Sequence, residues 1–491
     1  NYLSNRMSKL LDDYPHLKNW DISAENLNEF LNKGTMNRAG VWSPCTGRPG
    51  LIALSMDDLR RQGQQGLLSA QMTSVVVEAT ALSRKKTYKK YRLPTKEEFE
   101  ASHVEHETLM AAFADIPFGL PEEPLPPVGT LGFRIPLYGF KKWRDLFTAR
   151  QLLSLAVFVK HTRRAIEEIA RAKQEDSQSK AEAVGAMLMI AISRLVGMST
   201  NLCRWENKSE FVCQVYARFA LPMLWDYAEI NPNSQTTGNY MGGIDWIVRY
   251  IEHASFKAHQ VIISRQSAIS PQYKSKYDVV MTDPPYYNAI PYSDLMDIFF
   301  LWLRRTLWDE VKPYESFFAE PMSPKWDHQH HDGELIQDES RFGGDVEKAK
   351  KVYEDGLARS FKLSLDSLIN DGRMIVVFAN KDVSAWETLI SGLIRSGAIV
   401  TASWPIQTER EARSRSHGSA ALASSVWIVC RKRTETALAG WEEDVLGQMK
   451  QKLFSSRETL GGRNILQYYF DLGIRGPDFM WAALGPALEA Y

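Results

Sequence analysis

From about residue 256 to residue 435 the sequence alternates short apolar runs with helical periodicity, and this alternation constrains the fold more than any other feature. VIIS (261–264) and YDVVMT (277–282) read as buried strands. Leu295 to Leu307 reads as an amphipathic to fully buried helix. Residues 312–345 are irregular and rich in Pro, His, Asp and Gly. Val346 to Leu368 reads as a helix stopped by Asn370, Asp371 and Gly372. A buried strand is expected over Arg373–Ala379, a helix over Ala385–Ser396, and strands over Ile399–Ile406 and Ser424–Arg431. Strands alternating with helices predict an open α/β sheet. Residues 407–423 hold no helix, so the last two strands are expected to pair as an antiparallel hairpin at a sheet edge.

The rest of the chain adds helices to this core. Residues 1–130 are mixed and loop-rich, and PEEPLPP (121–127) reads as a stiff extended connection. Between Trp143 and Tyr250 the pattern is helical: Leu152, Leu155, Phe158 and Val159 recur at helical spacing, as do Met187, Ile190 and Leu195. Arg171–Ala181 is polar and reads as an exposed connection. Helices return from Trp441. The expected division is 1–130, 131–255, 256–435 and 436–491.

Composition bounds the partners. With 491 residues, 44% hydrophobic and 24% charged, the chain reads as soluble and globular. The longest apolar stretch, Ala183–Met198, is interrupted by Arg194 and falls short of the roughly 18 residues of a membrane span. Cys45, Cys203, Cys213 and Cys430 form no C-x-x-C pair, which argues against a zinc site and suits a reducing cytoplasm. The net charge is zero, so a nucleic acid would have to meet a local basic patch. The chain begins with Asn and no signal peptide follows, which reads as a fragment or a processed chain.

Asp283, Pro284, Pro285 and Tyr286 follow directly on the strand 277–282. In open α/β sheets ligands bind beyond the carboxyl ends of strands. The residue types suit one reaction. An exocyclic amine on a base is a poor nucleophile because its lone pair is delocalised into the ring. Two acceptors aimed at its N–H groups favour the pyramidal nitrogen of the transition state. The Asp283 carboxylate supplies one acceptor and the Pro284 carbonyl the other, held by the following proline. Tyr286 offers a face on which an extruded base stacks. The structural alternative is a Pro-Pro turn capped by Asp.

Several segments together resemble the large adenine-specific DNA methylases that carry a zinc-ribbon. YDVVMTDPPYYN (277–288) leading into PYSDLMDIFFLWLR (291–304) is similar to that family's DPPYY segment and the helix after it. LYG (137–139) with WRDLFTARQ (143–151), LPMLWDYAEINP (221–232), and stretches within 371–382 and 402–425 resemble others of its segments, so the likeness runs from about residue 40 to 432. The resemblance implies a Rossmann-like class I methyltransferase core, in which one reversed strand closes a parallel sheet. It implies S-adenosylmethionine as cofactor, double-stranded DNA as substrate, adenine N6 as target, and other subunits of a restriction-modification or phage-defence system as partners. It assigns catalysis to Asp283, Pro284, Pro285 and Tyr286, and cofactor contacts to Phe147, Thr148, Ser267, Ala268 and Asp283. The chain departs from the family pattern in two places. Ala149 stands where the family's FTP element has proline, and the glycine-rich F-x-G-G-G cofactor loop is absent. The cofactor half of the site is therefore expected from another polypeptide or a segment outside this sequence.

Other residues carry both functional and structural readings. Asp226, Glu229 and Asn231 are cofactor-side groups or a polar network. Thr148 is a cofactor contact or a helix cap. RKKTYKKYR (84–92) interleaves Lys85, Lys86, Lys89 and Lys90 with Tyr88 and Tyr91, a pattern that neutralises phosphates and stacks on bases, or a solvated basic edge. Arg410, Arg413 and Arg415 lie between two sheet strands, where a loop reaches DNA or pairs with its own glutamates. His328, His330, His331, Asp327 and Asp332, three His and two Asp in a short span, read as a metal site or as a mobile active-site loop; methyl transfer needs no metal, so the loop is the reading and no metal is expected. Two other functions fit the same sequence: a catalytically silent DNA-binding subunit, and an amino-methyltransferase acting on cytosine N4 or on RNA.

Overall fold

The computed structural model describes residues 41–43, 52–70, 72–80, 87–172, 176–216, 220–254, 261–264, 266–269, 276–311, 315–380, 382–407, 424–433, 442–457, 460–472, 479, 483 and 487. The chain divides into two compact units. One comprises Asn1–Val128, Phe133–Tyr250 and Leu301–Phe318; the other comprises Gly129–Gly132, Ile251–Phe300 and Ala319–Tyr491.

The first unit is mainly helical. Strands β1 (Val41–Ser43) and β2 (Ile52–Leu54) pair antiparallel, as do β3 (Val75–Thr80) and β4 (Thr87–Arg92). Helices α1 (Met56–Gln64), α2 (Lys96–Ala101) and α3 (His106–Phe113) precede two long ones, α4 (Ala149–Ala170) and α5 (Ser177–Met198). Helix α4 buries Leu152, Leu155, Ala156, Val159 and Ile166, the apolar stripe that its sequence period predicts. Gly185 of α5 lets the chains approach: a Cβ there would stand 2.7 Å from Ile166 Cδ1. By length and composition α5 is apolar enough to cross a membrane, and half of that stretch is buried against this unit.

Beyond α5 the helical expectation fails. The described residues of 199–239 hold turns and a short hairpin, β5 (Trp205–Glu206) with β6 (Phe211–Val212), before α6 (Tyr240–His253). Pro222, Pro232 and the Asn, Ser, Thr and Gly residues of 231–239 explain the interruption. The segment 121–127 is not a free connection. Leu125 N–H donates to the Lys141 carbonyl, Trp143 N–H to Glu123 and Arg144 N–H to Pro121. Pro121 and Leu125 are buried.

The second unit is mixed α/β around a four-stranded sheet. Its elements are β7 (Tyr277–Thr282), α7 (Tyr292–Leu307, whose last residues group with the first unit), α8 (Val346–Ser367), β8 (Leu368–Phe378), α9 (Val383–Arg395), β9 (Ala398–Gln407), β10 (Ser424–Lys432), α10 (Glu442–Phe454) and α11 (Ile465–Asp471). The strand order is β7-β8-β10-β9. Strand β7 pairs parallel with β8, while β10 pairs antiparallel with both β8 and β9. Three strands therefore share one direction and β10 alone is reversed. The last two strands pair antiparallel at one edge of the sheet, as expected, with β9 outermost and β10 inside it against β8.

Three further differences from the sequence reading have local causes. Residues 261–264 form no strand, and Val261, Ile262 and Ile263 are 70%, 82% and 91% exposed. Strand β7 is an edge strand among the described residues, not a buried one, with Val279 and Met281 each 54% exposed. Asn370, Asp371 and Gly372 do not end a helix; α8 passes directly into β8, and the pairing jumps from Tyr277 opposite Leu368 to Val279 opposite Arg373. The extra residues of β8 are taken up as a bulge containing this polar triplet.

One face of the sheet is covered by helices. Met374, Val376 and Phe378 of β8 with Val426, Ile428 and Cys430 of β10 pack against Tyr353, Leu357, Phe361 and Leu365 of α8 and Trp386, Leu389 and Leu393 of α9. Each such side chain contributes about 2 kcal/mol of burial. This layer anchors the carboxyl ends of β7 and β8.

Candidate active site

Strand β7 stops at Thr282, so the four residues Asp283 to Tyr286 leave the sheet at the carboxyl end of a strand, where the sequence placed them. Asp283 is exposed, Pro284 is buried, and Pro285 and Tyr286 are half-buried. The next residue, Tyr287, is buried and left-handed, with φ 57°. A non-glycine residue holds that conformation only where its surroundings fix it.

Those surroundings come from far along the chain. The Tyr353 hydroxyl, on α8, donates to the Pro285 carbonyl and accepts from the Tyr287 N–H at 3.0 Å. Burial pushes the ionisation of this phenol far up, so it stays a donor. Asn380, just beyond β8, donates its side-chain amide to the Tyr286 carbonyl at 3.1 Å. Asn380 is itself held, because its carbonyl accepts from the Trp386 indole at 2.8 Å. The Tyr286 ring stands edge-on to Phe378, and Phe378 edge-on to Trp386. Among the described residues no hydrogen bond reaches the Asp283 carboxylate or the Pro284 carbonyl. The loop is thus tied at Pro285, Tyr286 and Tyr287 and left open at the two acceptors before them.

Tyr292 opens α7 close by. Burial raises its phenol, and the charges of Asp283 and Glu334 add to the rise, which puts all three in electrostatic reach. Behind it, the start of α7 is fixed by a buried polar network. Glu334 accepts from the Ser293 N–H at 3.0 Å, and Arg341 bridges Glu334 (2.6 Å) and Asp294 (2.8 Å). Lys325 donates to Asp297 at 2.8 Å, and Ser323 caps the same carboxylate. Burial pushes the Asp297 carboxyl up against the opposing pull of Lys325.

The remaining candidates separate. Thr148 is the cap of α4: its hydroxyl accepts from the Gln151 N–H at 3.3 Å, and Gln151 returns the bond at 2.8 Å. Phe147 is buried, edge-on to Trp302. Both belong to the first unit. Ser267 and Ala268 belong to the second. The Ser267 hydroxyl donates to Asp332 at 2.6 Å, and Ala268 is exposed. Glu229 forms a two-pronged pair with Arg150, at 2.8 and 2.5 Å, and Asn231 accepts from the Asn233 N–H, so these two serve local structure; Asp226 is exposed.

In the β3–β4 hairpin Lys89 pairs with Glu78 at 2.8 Å and Tyr91 donates to Glu210, while Tyr88 and Lys90 are exposed. Lys85, Lys86, Arg410, Arg413 and Arg415 lie outside the described residues. The segment 327–332 is a tight hairpin, not an irregular loop. Asp327 and Asp332 bridge across it, His330 Nδ1 meets Asp327 at 2.6 Å, and His328 meets the Arg341 carbonyl at 2.9 Å. Among the described residues no group of His, Cys, Asp and Glu is arranged to hold a metal.

Tyr353 and Asn380 were not singled out in the sequence, and no local signal marks them. A search of family models, of curated proteins and of solved structures finds no match to this chain.

Proposed function

We propose that this chain carries the base-binding half of an S-adenosylmethionine-dependent amino-methyltransferase acting on adenine N6 in DNA. One observation supports this reading above the others: among the described residues the Asp283 carboxylate and the Pro284 carbonyl carry no hydrogen bond while the main chain after them is tied down. Two such acceptors take the two N–H bonds of an exocyclic amine and turn its lone pair out of conjugation. Tyr286, its ring fixed by Phe378, supplies the stacking face for a base turned out of the duplex. The strand order supports a class I methyltransferase core, since a reversed strand sits among three of one direction.

The methyl donor, when bound, supplies an electrophilic methyl group. The described residues read as its contacts do not fit it by themselves, because the hydroxyls of Thr148 and Ser267 are both committed within their own units. We therefore place the rest of the cofactor site on a polypeptide segment other than these residues, in keeping with the missing glycine-rich loop. That same absence favours the second reading, a DNA-binding subunit without catalysis.

The test is transfer of labelled methyl groups to DNA by the protein in its full assembly, followed by digestion and identification of the base. Label in N6-methyladenine is expected. Label in N4-methylcytosine or in RNA moves the substrate, and no label supports the silent subunit. Asp283→Ala is expected to abolish transfer, by about a thousandfold or more, while far-ultraviolet circular dichroism stays unchanged. Undiminished methylation by this variant would refute the role given to Asp283.

A further inference from the structure

We infer that Tyr353 and Asn380 are positioning residues that preset the Asp283 and Pro284 acceptors toward one point, an inference that rests on the reading of this loop as an amine-binding site.

Three main-chain groups in a row, the carbonyls of Pro285 and Tyr286 and the N–H of Tyr287, are held by two side chains from different elements. Tyr353 uses one hydroxyl as donor and acceptor at once, so the Pro285 carbonyl and the Tyr287 N–H must converge on the same oxygen. That convergence bends the chain and accounts for the left-handed Tyr287. The Tyr353 ring, fully buried, is fixed in turn by edge-on contact with the Tyr287 ring at 5.4 Å. Asn380 holds the next carbonyl, that of Tyr286. Its side-chain oxygen accepts from the Asp382 N–H at 2.9 Å, which orients the amide so that its nitrogen faces Tyr286.

The selection of tied groups is informative. A turn built for stability alone would gain equally from a bond to the Pro284 carbonyl. Instead the side-chain bonds go to the Pro285 and Tyr286 carbonyls and the Tyr287 N–H, from Tyr353 on α8 and Asn380 just beyond β8, beside main-chain bonds from the Tyr287 and Ala289 N–H groups to the same two carbonyls. Held between the end of β7 at Thr282 and the tied groups from Pro285 on, the Pro284 carbonyl is restrained from rotating away when a substrate amine arrives, and the cost of orienting it is met during folding.

Tyr353→Phe keeps the ring and removes only the hydroxyl. Asn380→Asp keeps the shape and sets an acceptor against the Tyr286 carbonyl. Two measurements are needed on each variant of the full-length protein. Hydrogen exchange is expected to rise about tenfold or more in peptides covering residues 284–289 and to stay at the wild-type level in β8 and β10. The kcat for methyl transfer is expected to fall about tenfold or more with KM for DNA unchanged, since the acceptors act on the reacting nitrogen and not on duplex binding. Unchanged exchange at 284–289 in both variants overturns the inference, as does raised exchange with an unaltered kcat. A wild-type protein that methylates no nucleic acid overturns the proposed function instead, and the clamp is then decided by exchange alone.

Discussion

His330 and Asp327 show how much a pair of single residues can set at the surface of this protein. The hydrogen bond between them, and then the charge of Asp327, raise the imidazole above its ordinary 6.5. The same bond, with main-chain N–H groups of His330 and Gln329, takes Asp327 down to about 2. The raised imidazole stabilises the hairpin fully below about pH 6.5 and loses that contribution as pH rises through its folded value. The lowered carboxyl contributes fully above about pH 4 and is lost as pH falls toward 2. The hairpin is therefore tightest between roughly pH 4 and 6.5 and loosens on either side. Titration of His330 by NMR should give a midpoint above 6.5, moving back toward it in Asp327→Asn; an identical midpoint in that variant would rule out the pair. At this scale some features were legible in the sequence and others were not. Thr148 with Gln151 three residues on is a cap signature that needs no fold to recognise. The open acceptors of Asp283 and Pro284 follow from a strand that ends beside them. Tyr353 and Asn380 stand 66 and 94 residues from the groups they hold, and an isolated tyrosine on a helix carries no mark of such a partner.

At the scale of elements, α7 is organised by charge. Asp294 and Asp297 lie buried in its first two turns, and Arg304 and Arg305 in its last, each end placed favourably for the helix dipole. Arg305 is fully buried and spends its guanidinium on the carbonyls of Phe118, Gly119, Leu120 and Leu301 and on Glu123. Arg305→Met removes all of these and leaves Glu123 with Arg304 alone at 3.9 Å. A loss of about 3 kcal/mol is expected in chemical denaturation of the first unit. Arg305→Lys should recover little of it, because an ammonium cannot reach the same fork of acceptors. A loss below about 1 kcal/mol would show that the carbonyls find other donors. Element types in the second unit were readable wherever period and length agreed, as for α8, α9, β9 and β10. They were misread where only composition spoke. The apolar run 261–263 has strand composition and no paired neighbour among the described residues, and the triplet 370–372 has the composition of a stop but lies within a strand that tolerates a bulge.

At the scale of the whole molecule, the sheet order decides what each segment depends on. The α/β class and the edge hairpin of the last two strands follow from the alternation of elements, but which of the two strands lies outermost does not, because either order satisfies the same pattern. Strand β10 supplies partners to β8 on one side and β9 on the other. A chain ending at Ala423 would leave both with open edges and would expose Phe378, Met374 and Val400. Such a chain is expected to show no cooperative unfolding of the second unit, whereas one ending just after Arg433 should retain it. Cooperative melting of the shorter chain would mean that β8 and β9 can pair directly.

The reversed strand also sets a timetable. Strand β8 leaves the ribosome with β7 already made on one flank, and β9 follows, yet the two cannot be joined until β10 emerges and enters the gap between them. At about 5–20 residues per second that interval lasts seconds. During it the nascent chain presents a half-built sheet in which β8 and β9 each have an edge without its strand partner. The candidate site stands on the carboxyl ends of β7 and β8, and β8 gains the strand on its second flank only when β10 arrives.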